Sequence, residues 1–368
     1  MGVVNRDSVL AALSTVRDSA TGRDIVDLNF VRNTTVEAGR ISLVLVINTP
    51  ASPFKLQLQE AARSTLTKLP GVDSVEINLE VEIPKASGVE GKQSVPGVSN
   101  IIAVSSGKGG VGKSTVAVNT AVALAQFGAR VGLLDTDVYG PNVPIMVGLS
   151  QEPLVKAQRL LPLEAYGIKV MSLGFLNPGD RPVVWRGPML HTAVRQFLYD
   201  VDWGELDYLI VDMPPGTGDA QLSLAQLVPV QGAVLVTTPQ AVALGDVRKA
   251  FRMFEQVHIP ILGIVENMSY FICPNCSEEH HIFGSRGGEE LAQSFNSNLL
   301  GRIPFSIDIR EGGDAGVPIV SAAPGSPQAL GFLQIADNIA SQVGLLAMTG
   351  RALPVMDMSD SRGDRFVV

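Results

Sequence analysis

The sequence contains very little cysteine, and the two cysteines that it has lie close together. Cys273 and Cys276 are the only cysteines in 368 residues, and they form a single C-x-x-C motif. A chain with no other thiol lacks the disulfide framework that stabilises many small secreted proteins. Metal, cluster or redox chemistry is therefore what remains for this pair.

Long apolar segments and a basic surface are also missing. No apolar run approaches the roughly 20 residues that span a bilayer, and the first residues lack the layout of a secretory signal. The formal net charge is −8 at pH 7, whereas proteins that follow nucleic-acid phosphates usually carry a basic face. We therefore expect a cytoplasmic protein that binds neither membranes nor nucleic acid.

Aliphatic residues are abundant and occur in short runs. Hydrophobic residues make up 46% of the chain and aromatic residues only 5%. Because the runs do not alternate with polar residues, they predict strands that are buried on both faces. An α/β fold follows, with a mostly parallel sheet flanked by helices and preceded by a small α+β domain. The runs are residues 101–104, 131–134, 208–211, 233–236, 261–265 and 299–303.

The chain changes character near residue 84. Before it, alternation at residues 41–47 and 75–81 predicts strands, and helical spacing at 9–16 and 55–68 predicts helices. After it comes a stretch rich in Pro, Gly and Ser without periodicity, which is typical of a linker. The predicted segments are a small α+β domain at residues 1–83, a linker at 84–100, an α/β domain at 101–347 and a disordered tail at 348–368.

A phosphate-binding motif follows the first run of the α/β domain. Residues 107–115 read GKGGVGKST, which is G-x-x-x-x-G-K-[ST] between a predicted strand and a predicted helix. Glycines let backbone N–H groups surround phosphate oxygens, and the helix N-terminus favours anions. We expect Lys113 to contact the β- and γ-phosphates and the Ser114 hydroxyl to bind Mg²⁺. The predicted nucleotide-binding residues of this loop are Gly107, Lys108, Gly109, Gly110, Val111, Gly112, Lys113, Ser114 and Thr115.

Carboxylates end two later strands. Asp135 and Asp137 follow the run at 131–134, and Asp212 follows the run at 208–211 and precedes a loop rich in Gly and Pro. One aspartate at a strand end is often only a helix cap, but three of them after a phosphate loop favour a nucleotide site. We expect Asp135 to support Mg²⁺ and Lys113, and Asp212 to hold Mg²⁺ through water.

The C-x-x-C motif leaves three kinds of site open. A [4Fe–4S] cluster usually takes four thiolates. One chain supplies only two of them, and a two-fold homodimer would supply all four. Zn²⁺ would instead be bound within one chain by Cys273, Cys276 and either His280 or His281, although this spacing is tight for a zinc finger. A thioredoxin-like redox pair ranks third, because the motif does not open a helix directly after its strand.

Five motifs together resemble one family. GKGGVGKST, LLDTDVYGPNVP, VDMPPGTGD, ENMSYFICPNC and IPFSIDIREGGDAGVPI resemble the Mrp/ApbC type of iron–sulfur cluster carrier ATPase, a member of the deviant Walker A group. The resemblance covers about residues 99–343. It implies a homodimeric ATPase that uses ATP and Mg²⁺. It also implies a labile [4Fe–4S] cluster held by Cys273 and Cys276 of both protomers, with apo-proteins and cluster-assembly scaffolds as partners.

The resemblance also implies roles for single residues. Lys108, the signature lysine of the deviant loop, would reach the partner's nucleotide and act in trans like an arginine finger. Lys108, Lys113 and Asp137 would then be the catalytic residues, with Asp137 positioning or activating the attacking water. Asn267 and Pro304 would border the adenine.

The first 83 residues resemble the small domain that often accompanies iron–sulfur assembly proteins. Relatives commonly place a cysteine in the loop after the middle strand, but residues 49–53 read TPASP here. The domain is therefore expected to dock a partner and not to bind a cluster.

Two alternative functions stay open for the whole chain. A ParA/MinD-like positioning ATPase would carry a basic amphipathic helix or a basic face, and no dense Lys/Arg run occurs in this sequence. A zinc-binding metallochaperone ATPase would have the same nucleotide site and would be distinguished by metal analysis.

Overall fold

The computed structural model describes residues 4–85, 92–138, 140–176, 187–273, 275–276 and 278–349. The helices are α1 Arg6–Leu13, α2 Pro53–Thr67, α3 Lys113–Gln126, α4 Val143–Met146, α5 Gly187–Tyr199, α6 Asp219–Leu227, α7 Ala241–Gln256, α8 Gly287–Ser294, α9 Ile307–Asp314, α10 Ile319–Ala322 and α11 Pro327–Thr349. The strands are β1 Val31–Glu37, β2 Arg40–Ile47, β3 Ser74–Val81, β4 Val98–Ser106, β5 Val131–Asp135, β6 Val155–Lys156, β7 Arg159–Leu160, β8 Leu163–Ala165, β9 Ile168–Ser172, β10 Leu206–Asp212, β11 Gly232–Thr237, β12 Ile261–Glu266, β13 Phe271–Ile272, β14 Glu279–His280 and β15 Leu299–Arg302.

Residues 4–85 form a small sheet with two helices. β2 lies in the middle, antiparallel to β1 and parallel to β3. Alternate residues of β2 point inward, and Ile41, Leu43 and Leu45 pack with Leu58 of α2 in a core of their own. The alternation at 41–47 and 75–81 thus marks β2 and β3, and helical spacing marks α1 and α2. β1 was not predicted, because its sequence VRNTTVE is largely polar and exposed.

The larger part of the chain is an eight-stranded sheet in the order β15-β12-β11-β4-β10-β5-β9-β8. Each neighbouring pair is parallel except the edge pair β8 and β9. All residues of β5, β11 and β12 are buried. Since helices cover both faces of such a sheet, the predicted α/β fold with a mostly parallel sheet is confirmed.

Strand register places the polar residues that follow these strands at one edge of the sheet. In the central three strands, Asp212 of β10 lies beside Val104 of β4 and Asp135 of β5. The chain leaves β4 into the loop at residues 107–112 and enters α3 at Lys113. The phosphate loop and both strand-end aspartates therefore meet at the carboxyl edge of the sheet, where open α/β folds place their ligands.

The small sheet unit docks on α11, the last helix of the larger unit. Lys55 of α2 is buried and contacts Asp18, and its ammonium lies 3.8 Å from Asp337 of α11. It also donates a hydrogen bond of 3.0 Å to Ser341. Ser52 caps α2 and donates a hydrogen bond to Asp337. The loop at residues 49–53 thus faces a helix of the same chain.

Two predicted segment boundaries fall inside observed elements. β4 begins at Val98, three residues within the predicted linker, because Val98 pairs with Leu206 of β10. α11 continues to Thr349, two residues into the predicted tail. The remaining tail, residues 350–368, lies outside the described residues. No helix among the described residues is long and apolar enough to cross a membrane.

Candidate functional site

The phosphate loop has the backbone shape that its glycines predict. Gly110 and Gly112 have φ angles of 80° and 81°, which side chains rarely adopt. A Cβ atom on Gly107 would lie 2.3 Å from the backbone carbon of Asp246 in α7, so the loop passes directly over that helix. Gly112 is the N-cap of α3. The N-terminus of a buried helix, which favours anions, therefore opens onto the loop.

Lys113 is the centre of a buried group of charges. Its ammonium donates a hydrogen bond of 2.6 Å to Asp212 and lies 3.6 Å from a carboxylate oxygen of Asp137. Ser114 donates a 2.5 Å hydrogen bond to the other carboxylate oxygen of Asp212. The structure thus brings the predicted phosphate lysine, the predicted Mg²⁺ hydroxyl and two of the three strand-end carboxylates together.

Asp135 lies behind this group and is fully buried. It accepts hydrogen bonds from the Ser172 hydroxyl at 2.9 Å and from the backbone N–H of Asp137 at 3.0 Å. Burial raises the pKa of Asp135 to about 7, and the neighbouring charge of Asp212 acts in the same direction. A site with two adjacent buried carboxylates favours a divalent cation, because the cation removes their repulsion.

Lys108 stands apart from this group. Its side chain is half-buried, and it makes no hydrogen bond or ion pair with any residue that the structure describes. Its backbone oxygen accepts a 2.9 Å hydrogen bond from the Ser106 hydroxyl, which fixes the start of the loop. The loop after β10 lies alongside, since the Gly216 N–H donates a 3.0 Å hydrogen bond to the Ser106 carbonyl. The ammonium of Lys108 is therefore available to a ligand or a second chain.

A cavity of about 440 Å³ adjoins the phosphate loop. Asn267 donates a 2.9 Å hydrogen bond from its side-chain nitrogen to the Val111 carbonyl, so it ties the end of β12 to the loop. The side-chain oxygen of Asn267 accepts no hydrogen bond from the residues that the structure describes, so a ligand can donate to it. The two residues predicted to border the adenine both line this cavity. Its walls include Gly112, Thr115, Asn267, Pro304, Phe305 and Arg310.

The two cysteines lie on a short hairpin after β12, away from the phosphate loop. β13 and β14 pair through Phe271 with His280 and Ile272 with Glu279. The backbone N–H groups of Cys276 and Asn275 lower the pKa of the Cys273 thiol. They therefore favour the thiolate, which is the form that binds metal. Cys276 is exposed and Cys273 is half-exposed. A ligand or a second chain can reach both sulfurs.

One part of the hairpin also has the residues of a small metal site. The ligand atoms of Cys276, Glu278 and His280 all lie within 4.8 Å of one another, and all three residues are exposed. His280 was one of the two histidines in the predicted zinc alternative. Neither His281, which lies 3.6 Å from Glu279, nor Cys273, the other predicted zinc ligand, belongs to this group. The structure thus favours His280 over His281 as a metal ligand.

Sequence reasoning missed three residues that shape the site. Ser172 of β9 holds Asp135. Buried Glu266 accepts a hydrogen bond from Ser269 and another from the N–H of Gly288, and so fixes the turn that carries Asn267. Phe305 lines the cavity. The hydrogen bonds of Ser172 with Asp135 and of Gly288 with Glu266 join residues 37 and 22 positions apart, so they leave no mark in the local pattern. Phe305, in contrast, stands in the IPFSIDIREGGDAGVPI motif.

Comparisons with known proteins agree with this arrangement. The sequence model of the NUBPL iron-transfer P-loop NTPase family matches residues 97–340, and that of the iron–sulfur cluster assembly protein family matches residues 6–79. An iron–sulfur cluster carrier protein of Synechocystis is 51% identical over 352 residues, which are 94% of this chain and 100% of the relative. One of Deinococcus radiodurans is 45% identical over 354 residues, 95% of this chain and 99% of the relative.

Solved structures give the same result for the larger unit. A nucleotide-binding protein from Archaeoglobus fulgidus, in complex with ADP, is 41% identical with a TM-score of 0.57 and covers 65% of this chain and 93% of its own. The Pyrococcus furiosus cell division ATPase MinD is 25% identical with a TM-score of 0.50 and covers 65% of this chain and 98% of its own. The chain therefore belongs to the NUBPL iron-transfer P-loop NTPase family.

Proposed function

We propose that this P-loop ATPase carries a [4Fe–4S] cluster, which two copies of the chain hold between their cysteine pairs and pass to apo-proteins. The observation that carries the proposal is the exposed hairpin of Cys273 and Cys276, which follows the turn where Asn267 binds the phosphate loop. The segment of residues 267–273 therefore joins a nucleotide site to a thiolate site. The names of the relatives from Synechocystis and Deinococcus radiodurans support the cargo.

The nucleotide site supplies the parts that phosphoryl transfer needs. Lys113 and the N–H groups at the start of α3 would bind the β- and γ-phosphates, and Ser114, Asp135 and Asp212 would hold Mg²⁺. Asp137, 3.6 Å from Lys113, would position the attacking water. Lys108 would enter the partner's site. Because the transferred phosphoryl group develops charge on its oxygens, these fixed cations act mainly by electrostatic stabilisation.

The thiolate site is half complete in one chain. Each chain offers two sulfurs, and a cubane cluster usually takes four, so a two-fold dimer places four equivalent thiolates around one cluster. The cluster would lie at an exposed position between two chains, and it would be lost or transferred when the dimer opens. That lability is what a carrier needs.

We predict one cluster of four irons per two chains after anaerobic reconstitution. Iron, sulfide and protein analysis of the dimer separated by size would measure this ratio. Cys273→Ser and Cys276→Ser should each lose the cluster, because either leaves two thiolates at a site shared by symmetry. His281→Ala is the matched control, since His281 lies in the same hairpin and should leave iron content unchanged. Retention of iron by a cysteine variant would contradict the proposal.

Zinc transport is the second candidate, and the group Cys276, Glu278 and His280 favours it. Zinc would be bound within one chain, so its content should approach one ion per monomer and should not depend on dimerisation. His280→Ala separates the two functions. It should abolish zinc binding if zinc is the cargo, whereas it should leave the iron and sulfide of a bridging cluster in place.

A further inference from the structure

Phe305 contacts both the nucleotide cavity and the cysteine hairpin. Its ring lines the cavity beside the phosphate loop, and it is 40% exposed there. The same ring meets Phe283 edge-on with 6.1 Å between centroids and lies 6.5 Å from the ring of Phe271. Phe271 comes two residues before Cys273, and Phe283 follows the hairpin's second strand. One side chain therefore touches both the nucleotide cavity and the two ends of the cysteine hairpin.

The backbone joins the same parts. The N–H of Phe305 donates a 2.6 Å hydrogen bond to the Tyr270 carbonyl, and the N–H of Ser269 donates one of 2.9 Å to the Ile303 carbonyl. Phe271 and Phe305 form a parallel bridge. The stretch at residues 303–306 and the stretch at 269–271 are thus paired like two short strands. The cavity wall and the base of the hairpin are therefore connected through the backbone.

The residues that follow Phe305 also border the nucleotide cavity. Ser306, the next residue, caps α9, and its hydroxyl accepts a 3.2 Å hydrogen bond from the N–H of Asp308. Arg310 of that helix also lines the cavity. A ligand in the cavity therefore presses on a wall that includes Phe305 and the start of α9, and packed side chains respond by discrete shifts.

We propose that Phe305 is the positioning residue that couples nucleotide binding in the cavity to cluster binding by the hairpin. The inference rests on the proposed cluster carrier function and adds its regulation. A nucleotide base that contacts the ring shifts Phe271 and Phe283 together and changes the distance between the two cysteine pairs of a dimer. Because coupling is reciprocal, a bound cluster changes nucleotide affinity by the same factor as nucleotide changes cluster affinity.

The test measures this factor directly. The dissociation constant of Mg·ADP is measured anaerobically for the full-length dimer with and without its cluster, by displacement of a fluorescent ADP analogue. For the wild type, we expect the ratio of the two dissociation constants, with and without the cluster, to differ from one by a factor between about 5 and about 150, the usual range for coupled sites. Phe305→Ala and Phe283→Ala should bring the ratio to within about twofold of one, while cluster content stays at the wild-type value.

Three further variants make the result specific. Phe305→Leu keeps an apolar wall without the ring and should also lose the coupling. Phe295→Ala is the matched control, because Phe295 stacks on Phe251 with 4.1 Å between centroids, outside the two sites, and it should keep the wild-type ratio. His281→Ala, in the same hairpin but outside these ring contacts, should keep the ratio too.

The outcomes separate the two proposals. A wild-type dimer that binds a cluster but shows a ratio of one overturns the coupling and leaves the carrier function intact. A wild-type dimer that binds no cluster overturns the carrier function itself. If Phe305→Ala no longer binds ADP, the coupling is tested with Phe283→Ala instead, because Phe283 is not among the described residues that line the cavity. A wild-type ratio in Phe283→Ala then contradicts the proposal.

Discussion

The two lysines of the phosphate loop have different electrostatic surroundings. Lys113 is buried and lies against Asp212 and Asp137, with Asp135 behind them. One ammonium thus faces three carboxylates, and Mg²⁺ with a nucleotide would restore the balance of charge. Lys108 makes no ion pair within the described residues and is half-exposed. A lysine that pairs with no side chain in the described part of its own chain is suited to act on another chain.

We predict that Lys108→Ala binds Mg·ATP nearly as well as the wild type but hydrolyses it at least tenfold more slowly, since cations supplied in trans contribute about 10³ or more to turnover in related enzymes. Hydrolysis and ATP binding are measured on the same preparation. Lys113→Ala is the control within the same loop, because it removes the buried charge at the phosphates and should lose binding as well.

Mixing two inactive variants tests the action in trans. In a heterodimer of Lys108→Ala with Asp137→Ala, the first chain keeps Asp137 and receives Lys108 from the second, so one site is complete. An equimolar mixture should recover about one quarter of wild-type turnover, because half of the dimers are mixed and each has one complete site. If the mixture stays inactive although heterodimers form, Lys108 acts within its own chain.

At the level of elements, the close approach of the phosphate loop to α7 is a steric requirement. A Cβ atom on Gly107 would lie within 2.5 Å of three backbone atoms of Asp246 and Val247. Backbone atoms have no rotamer by which to move aside. Gly109 is different, since its nearest neighbour would be the ring of Pro215 at 3.9 Å.

We predict that Gly107→Ala lowers the free energy of unfolding by about 1–3 kcal/mol, the usual cost of overpacking, and abolishes nucleotide binding. Gly109→Ala is the matched control and should change stability by less than about 1 kcal/mol. Urea unfolding of both variants checks the first effect, and ADP titration checks the second. Equal stability of the two variants would show that the loop moves away from α7 freely.

The sequence predicted those elements whose signal is local. Each of the six predicted runs lies within or overlaps an observed strand from β4 to β15, because a buried parallel strand must be apolar along its length. β8 and β9 were missed. β8, with the sequence LEA, is short and lies at the edge of the sheet. β9, with the sequence IKVMS, lies one strand further in and is largely buried, but Lys169 and Ser172 interrupt its apolar residues.

Site geometry was predictable only where a motif fixes it. The GKGGVGKST motif predicts that Lys113 and Ser114 lie together at a phosphate site, and strand register places Asp135 and Asp212 at the same edge of the sheet. The support of Asp135 by Ser172, and the contact of Phe305 with both sites, join residues that are far apart in the chain. Such contacts depend on tertiary packing, which no local pattern encodes.

For the whole molecule, the contact between the small sheet unit and α11 links the two halves of the chain. Lys55, Asp18 and Asp337 are all buried there, so one ammonium faces two carboxylates. Burial raises the pKa of Asp337, although Lys55 and Ser52 act against this shift, and Asp18 adds to it. α11 also packs along α3, whose first residue is Lys113. The docked unit is thus two helices away from the phosphate loop.

The last prediction concerns the pH dependence of this contact. Because its pKa is raised in the folded protein, Asp337 retains a proton that the unfolded chain releases above about pH 4. Its contribution to stability is complete below the unfolded pKa and is lost as the pH rises through the folded pKa. The groups that face it are Lys55, Ser52 and Asp18, with Tyr208 of β10 nearby.

We therefore expect the contribution of Asp337 to the free energy of unfolding to fall with pH above pH 4, by at most about 1.4 kcal/mol per pH unit. Asp337→Asn should make the dependence of the free energy of unfolding on pH less negative, since the amide keeps the hydrogen bond from Ser52 but does not titrate, while buried Asp135, whose pKa is also raised, keeps its own contribution. Urea unfolding at several pH values measures both slopes. The exposed Asp200→Asn is the control and should keep the wild-type slope. Identical slopes in wild type and Asp337→Asn would mean that Asp337 is ionised in the folded protein, with Lys55 balancing both carboxylates.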